Sequence, residues 1–109
     1  MRVPVILALG LWLMLAPATS AQQAATVHMN DDTFDRTEVD ISAGQTVVWN
    51  NGNAKTHTVT ADDNSFDSGD LNTGDQYSME FDTPGTYPYY CSYHGGPGGD
   101  GMSGVIVVS

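Results

Sequence analysis

Residues 87–102 read Tyr87-Pro88-Tyr89-Tyr90-Cys91-Ser92-Tyr93-His94-Gly95-Gly96-Pro97-Gly98-Gly99-Asp100-Gly101-Met102. The first half is rich in aromatic residues, as β-strands often are, and the second half is a glycine-rich loop. Pro88 has no N–H, so it must face outward or lie unpaired in that strand. Tyr87 fits a tyrosine corner, which is a feature of β-sandwiches. The segment therefore predicts a late sandwich strand that runs into a loop.

The rest of the chain also has the pattern of short strands separated by turns. Seven segments are rich in β-branched and aromatic residues and are separated by turn signals: 25–29, 38–41, 46–50, 56–61, 76–81, 86–91 and 105–108. No part of residues 22–109 keeps a helical apolar stripe for three turns. The pattern predicts an all-β fold, an antiparallel Greek-key β-sandwich. Four residues are expected in its core: Trp49, Phe66, Leu71 and Phe81.

The amino-terminal segment is typical of export. Arg2 gives a positive start, residues 3–15 are apolar, and residues 18–21 are small. We expect a signal peptide over 1–21, followed by one domain over 22–109 and an extracytoplasmic or periplasmic location without stable membrane insertion. The apolar run is short for a ~30 Å hydrocarbon core, and an uncleaved membrane anchor is the alternative.

The predicted domain is strongly acidic. Its thirteen acidic residues stand against Arg36 and Lys55, a net charge of about −11 with the histidines neutral. This balance argues against nucleic acid and anionic lipid and favours partners with basic surfaces. The alternative is an acidic surface that serves solubility or adaptation to salt. The five aspartates between residues 62 and 75 form the densest acidic patch.

Cys91 is the only cysteine, so it has no internal disulfide partner. It lies three residues before His94, while His57 lies upstream and Met102 downstream. A thiolate, two imidazoles and a thioether suit one redox-active copper, because soft sulfur favours Cu(I) and imidazole serves both oxidation states. The alternatives are a small buried cysteine, a strand histidine at position 57 and an ordinary core methionine at position 102.

The ordered set of these residues resembles the cupredoxins, in particular the group of plastocyanin, pseudoazurin, amicyanin and halocyanin. The likeness covers essentially residues 22–109 and rests on five segments, with Met102 downstream of the last: residues 44–50, 57–59, 66–69, 84–87 and 91–94. It implies a monomeric type 1 copper protein that shuttles single electrons between redox partners and is not an enzyme. Its one copper ion would be bound by four residues: His57, Cys91, His94 and Met102. Seven residues separate His94 from Met102, more than is usual in that group.

Two neighbouring residues are expected to support the ligands. The backbone or hydroxyl of Thr58 can bond to the Cys91-Ser92 turn, and Asn53 can tether the His57 loop.

Other chemistries fit less well. A single cysteine excludes cysteine-rich structural zinc, covalent haem attachment and a binuclear copper centre. The acidic run that begins at Asp63 has Ser68 where a calcium loop needs glycine and Gly74 where it needs glutamate. Cys91 and His94 lack a third group for nucleophilic catalysis. A copper-storage module and a metal-free adhesion sandwich remain the alternatives of another class.

Overall fold

The computed structural model describes residues 23–109, which form seven strands. The all-β fold is confirmed, and each predicted strand has a counterpart, although the fourth, predicted over 56–61, is a strand only at Thr60–Ala61 and His57 forms an isolated bridge with Leu71. Their bounds are β1 Ala25–His28, β2 Glu38–Ile41, β3 Gln45–Asn50, β4 Thr60–Ala61, β5 Gln76–Phe81, β6 Gly85–Gly96 and β7 Asp100–Val108. The predicted signal peptide lies outside the described residues.

Two sheets form the sandwich, with strand orders β1-β3-β5 and β2-β7-β6-β4. Three pairs are antiparallel, but β1 with β3 and β2 with β7 run parallel. The sheets are therefore mixed, and the antiparallel prediction needs this correction. Apolar alternation identifies a buried face, but it does not give the direction of the neighbouring strand.

Aromatic side chains fill the space between the sheets. Trp49 is fully buried, and its ring meets that of Tyr89 edge-on at 5.3 Å. The four predicted core residues are all buried. The Tyr87 hydroxyl donates to the Thr83 carbonyl at 2.6 Å, which confirms the tyrosine corner. Pro88 is exposed, as its missing N–H predicted.

The pairing of β6 with β7 changes register at one end of the sandwich. Tyr90 pairs with Ser103, and the next pair is Gly95 with Gly101. Four residues of β6, numbers 91–94, therefore lie opposite Met102 alone. Such a bulge breaks the ladder and re-aims side chains.

The predicted glycine-rich loop is in fact the tip of this hairpin. A Cβ on Gly95 would lie 2.6 Å from backbone atoms of Asp100 and Met102. Only glycine permits the two chains to approach so closely. The hairpin thus continues past His94, where the sequence predicted a loop.

Candidate metal centre

Three donor atoms meet at the bulge. The Cys91 Sγ lies 3.7 Å from His57 Nδ1 and 3.6 Å from His94 Nδ1. One donor atom from each of these three residues lies within 4.8 Å of the donor atoms of the other two. Cys91 and His57 are fully buried, whereas the His94 side chain is 24% exposed. The fold thus brings together a thiol and two imidazoles from segments 34 residues apart.

His57 is held by its backbone and by its far ring nitrogen. Its N–H donates to the Leu71 carbonyl at 3.0 Å, and the Leu71 N–H donates back at 2.7 Å. Its Nε2 faces the Asn53 Oδ1 at 3.3 Å, which confirms the expected tether. An amide oxygen can only accept, so the proton belongs on Nε2 and the lone pair of Nδ1 faces Cys91.

Asn51 supports this loop and was not foreseen. It is fully buried, and its Nδ2 donates to the Lys55 and Leu71 carbonyls at 2.9 and 2.8 Å. Its Oδ1 accepts from the Asn53 N–H at 2.8 Å. The sequence showed only an Asn51-Gly52 turn signal, and that signal contains no indication of burial.

Thr58 links the two ligand segments. Its Oγ1 accepts from the Ser92 N–H at 2.8 Å and donates to the Ser92 Oγ at 3.2 Å. The expected contact with the Cys91-Ser92 turn is therefore confirmed. Because Thr58 follows His57 and Ser92 follows Cys91, the contact fixes the spacing between imidazole and thiol.

Acidic residues border the exposed edge of His94. The His94 Nε2 lies 3.8 Å from the Asp32 Oδ1, which also pairs with Lys55 Nζ at 3.3 Å. The first distance is too long for a hydrogen bond, so Asp32 acts through its charge. Tyr93 is 55% exposed and donates to Asp70 Oδ1 at 2.7 Å. The sequence predicted only glycine and proline around His94, because Asp32 and Asp70 are distant along the chain.

Burial lowers the pKa of His57, and the neighbouring His94 lowers it further. A lowered pKa favours the neutral imidazole, which is the form that binds metals.

Met102 lies opposite the ligand segment. Its side chain is 1% exposed and belongs to the core. Its backbone packs closely against Gly95, the residue after His94.

The donor set fits a copper ion. Metal–nitrogen and metal–sulfur bonds of about 2.0 and 2.3 Å, taken from zinc sites and set at trigonal angles, place the donor atoms roughly 3.7 Å apart. The observed separations of 3.6 and 3.7 Å agree with this value. One thiolate with two imidazoles suits copper, whereas calcium and magnesium prefer oxygen donors.

The sandwich and its His₂Cys cluster together define a cupredoxin. The chain belongs to the family described as Cupredoxin-like domain, whose model matches residues 4–108. It is 38% identical over 86 residues to a plastocyanin of Scenedesmus fuscus, a match that covers 69% of this chain and 85% of that protein.

Solved structures show the same likeness. A reduced Cu(I) form of an amicyanin mutant superposes with a TM-score of 0.69 at 27% identity, covering 83% of this chain and 86% of that one. A purple cupredoxin from Nitrosopumilus maritimus superposes with a TM-score of 0.66 at 28% identity, covering 78% and 99%.

Proposed function

We propose that this protein is a mononuclear type 1 copper protein that carries single electrons between redox partners. One observation carries the proposal: a buried thiol lies between the Nδ1 atoms of two imidazoles at nearly equal distances. This arrangement suits the trigonal His₂Cys plane of a blue-copper site. When bound, one copper ion supplies the Cu(I)/Cu(II) couple.

His57 and His94 would hold the ion through Nδ1, and Cys91 would hold it through Sγ. Met102 would supply a fourth, weaker sulfur donor. Its burial, and its place opposite residues 91–94 across the hairpin, support this fourth assignment.

The protein keeps these donors in place during oxidation and reduction. Asn53 orients the His57 ring, and Thr58 ties the His57 segment to the Cys91 segment. Outer contacts of this kind fix ligand orientation in metal sites. A rigid donor set limits the rearrangement that accompanies electron transfer.

His94 is the ligand that a partner approaches. Its side chain is partly exposed, whereas His57 and Cys91 are fully buried. The carboxylates of Asp32 and Asp70 lie beside this edge or beside the adjacent Tyr93. They favour a redox protein with a basic docking surface and disfavour nucleic acid.

The protein acts as a carrier and catalyses no turnover of its own. We infer that residues 1–21 form a signal peptide, that residues 22–109 are the exported domain, and that it acts as a monomer in an extracytoplasmic compartment. The charged start and apolar run of residues 1–21 support export. In the part of the chain that the structure describes, no helix is long and apolar enough to cross a membrane.

The test is the optical and paramagnetic resonance spectrum of the protein reconstituted with Cu(II). We expect an intense visible thiolate-to-copper band and reversible one-electron reduction. Copper that exchanges readily without redox cycling would instead indicate storage or delivery. Failure to bind copper would indicate a metal-free sandwich.

A further inference from the structure

The hairpin tip between His94 and Met102 folds back along the sheet. The Gly98 N–H donates to Asp62 Oδ2 at 2.9 Å, and the Asp62 N–H donates to the Pro88 carbonyl at 3.0 Å. Asp62 thus lies beside Pro88, six residues before His94 on β6. A hairpin running straight on from His94 would carry Gly98 away from Pro88 by about 3.3 Å per residue. The bond to Asp62 therefore requires a return of the tip.

A cavity of about 300 Å³ supports the same conclusion. Gly99 and Gly101 of the hairpin line it together with residues of the sheet that lie farther from the hairpin tip along the strands, including Pro88 and Val105. Pro88 and Val105 form a cross-strand pair well before the bulge. The tip therefore lies over that part of the sheet.

Glycine lets the tip turn back but does little to hold it there. Gly98 and Gly99 have φ angles of 84° and 78°, in the left-handed region that favours glycine. Among the side-chain hydrogen bonds of residues 23–109, the one that reaches residues 96–100 comes from Asp62. This single carboxylate fastens a segment of high conformational freedom.

The environment of Asp62 points to a role for this contact. Its second oxygen, Oδ1, is buried and has no hydrogen-bond partner among residues 23–109. Burying such an oxygen costs free energy, and unsatisfied buried groups are uncommon in folded proteins. The charge-assisted bond of Oδ2 to Gly98 offsets part of that cost.

We propose that Asp62 is a positioning residue for the copper site. By fastening the tip at Gly98, it fixes the path of the hairpin that joins His94 to Met102, and hence the placement of these two side chains. The proposal rests on the ligand assignment made above. It also explains how a seven-residue separation of His94 and Met102 is compatible with one site.

The experiment compares Asp62→Ala, which removes the acceptor, with Asp62→Asn, which keeps an acceptor oxygen. Asp63→Ala is the control, because the Asp63 carboxylate is exposed and, among residues 23–109, accepts only within its own turn, from Ser65. Amide hydrogen exchange at Gly98 is measured by NMR in the apo and copper-loaded protein. The optical spectrum, paramagnetic resonance spectrum and reduction potential are measured in the loaded protein.

In Asp62→Ala we expect Gly98 exchange to rise about tenfold, as loss of a hydrogen bond to a charged group implies. We also expect the visible thiolate-to-copper absorption and the reduction potential to shift. Asp62→Asn should give values close to those of the unmodified protein in every measurement. Asp63→Ala should match the unmodified protein.

Unchanged amide exchange at Gly98 in Asp62→Ala would show that Asp62 does not fasten the hairpin tip. Faster exchange with an unaltered copper spectrum and potential would overturn the positioning role. If Asp62→Asn behaved like Asp62→Ala, the hydrogen bond would not be the cause. Absence of a thiolate-to-copper band in the unmodified protein would overturn the proposed function itself, and the positioning role with it.

Discussion

The Thr58 hydroxyl accepts a hydrogen bond from the Ser92 N–H at 2.8 Å, and this bond joins the residue after one imidazole to the residue after the thiol. Thr58 is 4% exposed, so water cannot readily replace it. The bond lies directly beside the donor cluster, and its loss should affect both folding and the site.

We expect Thr58→Val to lower the free energy of unfolding by about 1–3 kcal/mol, because it leaves the Ser92 N–H without its partner. It should also alter the reduction potential, since the Cys91 segment is no longer tied to the His57 segment. Thr58→Ser retains the hydroxyl and is the matched control. Urea denaturation and voltammetry measure the two effects. If Thr58→Val matched the unmodified protein in both measurements while Thr58→Ser was destabilised, the packing of the methyl group, rather than the hydrogen bond, would be what matters.

Cys91→Ser should abolish the intense visible band, because a hydroxyl is a harder and less covalent donor than a thiolate. The check is the absorption spectrum after addition of Cu(II). A retained band in this variant would contradict the copper–thiolate assignment.

His57→Gly should open a position at the metal that added imidazole can refill. The fully buried His57 ring leaves a cavity beside Cys91 when it is removed. Recovery of the original paramagnetic resonance spectrum on imidazole titration is the expected result. If neither copper geometry nor redox behaviour responds to the mutation, His57 is not a ligand.

Met102→Leu should keep the visible band but raise the reduction potential, because loss of a weak thioether donor destabilises Cu(II) more than Cu(I). Leucine has a similar volume, so the core should lose less than about 1.5 kcal/mol. An unchanged potential and spectrum would direct the search for an axial ligand to a backbone carbonyl.

The dependence of the unfolding free energy on pH should reflect two pairs of neighbouring carboxylates. Glu38 shares a face of β2 with Asp40, and Glu80 lies close to Asp82. A hydrogen bond with the partner carboxyl, and then repulsion, raises the pKa of each glutamate. Because the folded-state pKa of each glutamate is raised, its protonated form stabilises the folded protein. This contribution is complete below the unfolded-state pKa and is lost as pH rises through the folded-state pKa.

As pH rises above the ordinary glutamate pKa of about 4.3, the double variant Glu38→Gln with Glu80→Gln should therefore lose less unfolding free energy than the unmodified protein. Urea denaturation of the apo protein at several pH values measures this. Asp63→Asn is the contrast, because hydrogen bonds to Ser65 lower the pKa of Asp63 and its effect has the opposite sign. A double variant with the pH profile of the unmodified protein would refute the prediction.

The strands and donor residues were predictable because both follow local chemistry. Runs of β-branched and aromatic residues between turn signals located the strands, although the fourth is shorter than predicted. Donor type singled out His57, Cys91 and His94. The hairpin beyond His94 was missed because Gly95 and its neighbours have no side-chain periodicity, and their pairing follows from backbone approach. Contacts such as Gly98 with Asp62, 36 residues apart, depend on how the tip folds back, which no local pattern encodes.

The structure also changes which aspartates are suitable for testing partner docking. In the predicted patch of residues 62–75, Asp62 accepts from Gly98 and Asp67 accepts from Thr60 and Gly69. Replacing them by residues that cannot accept these hydrogen bonds would disturb the fold as well as the charge. Asp32 lies beside the exposed His94 edge, and Asp70 accepts from the adjacent Tyr93, a bond that asparagine at position 70 can still accept.

We therefore expect the double variant Asp32→Asn with Asp70→Asn to slow electron transfer with a basic partner at low salt. Steering by charge raises association rates by ~10-fold to ~1000-fold and fades as the Debye length falls to ~8 Å at physiological ionic strength. The rate should thus depend less steeply on salt in this variant, while the visible band stays. Asp40→Asn with Asp82→Asn changes the net charge equally, at sites away from the ligand end of the hairpin, and should have a smaller effect. Stopped-flow rates over a range of ionic strength decide the matter. If the two double variants slow electron transfer equally, net charge alone guides the encounter. If the rates of the unmodified protein and of both variants do not depend on ionic strength, the acidity serves solubility, and docking depends on the His94 edge itself.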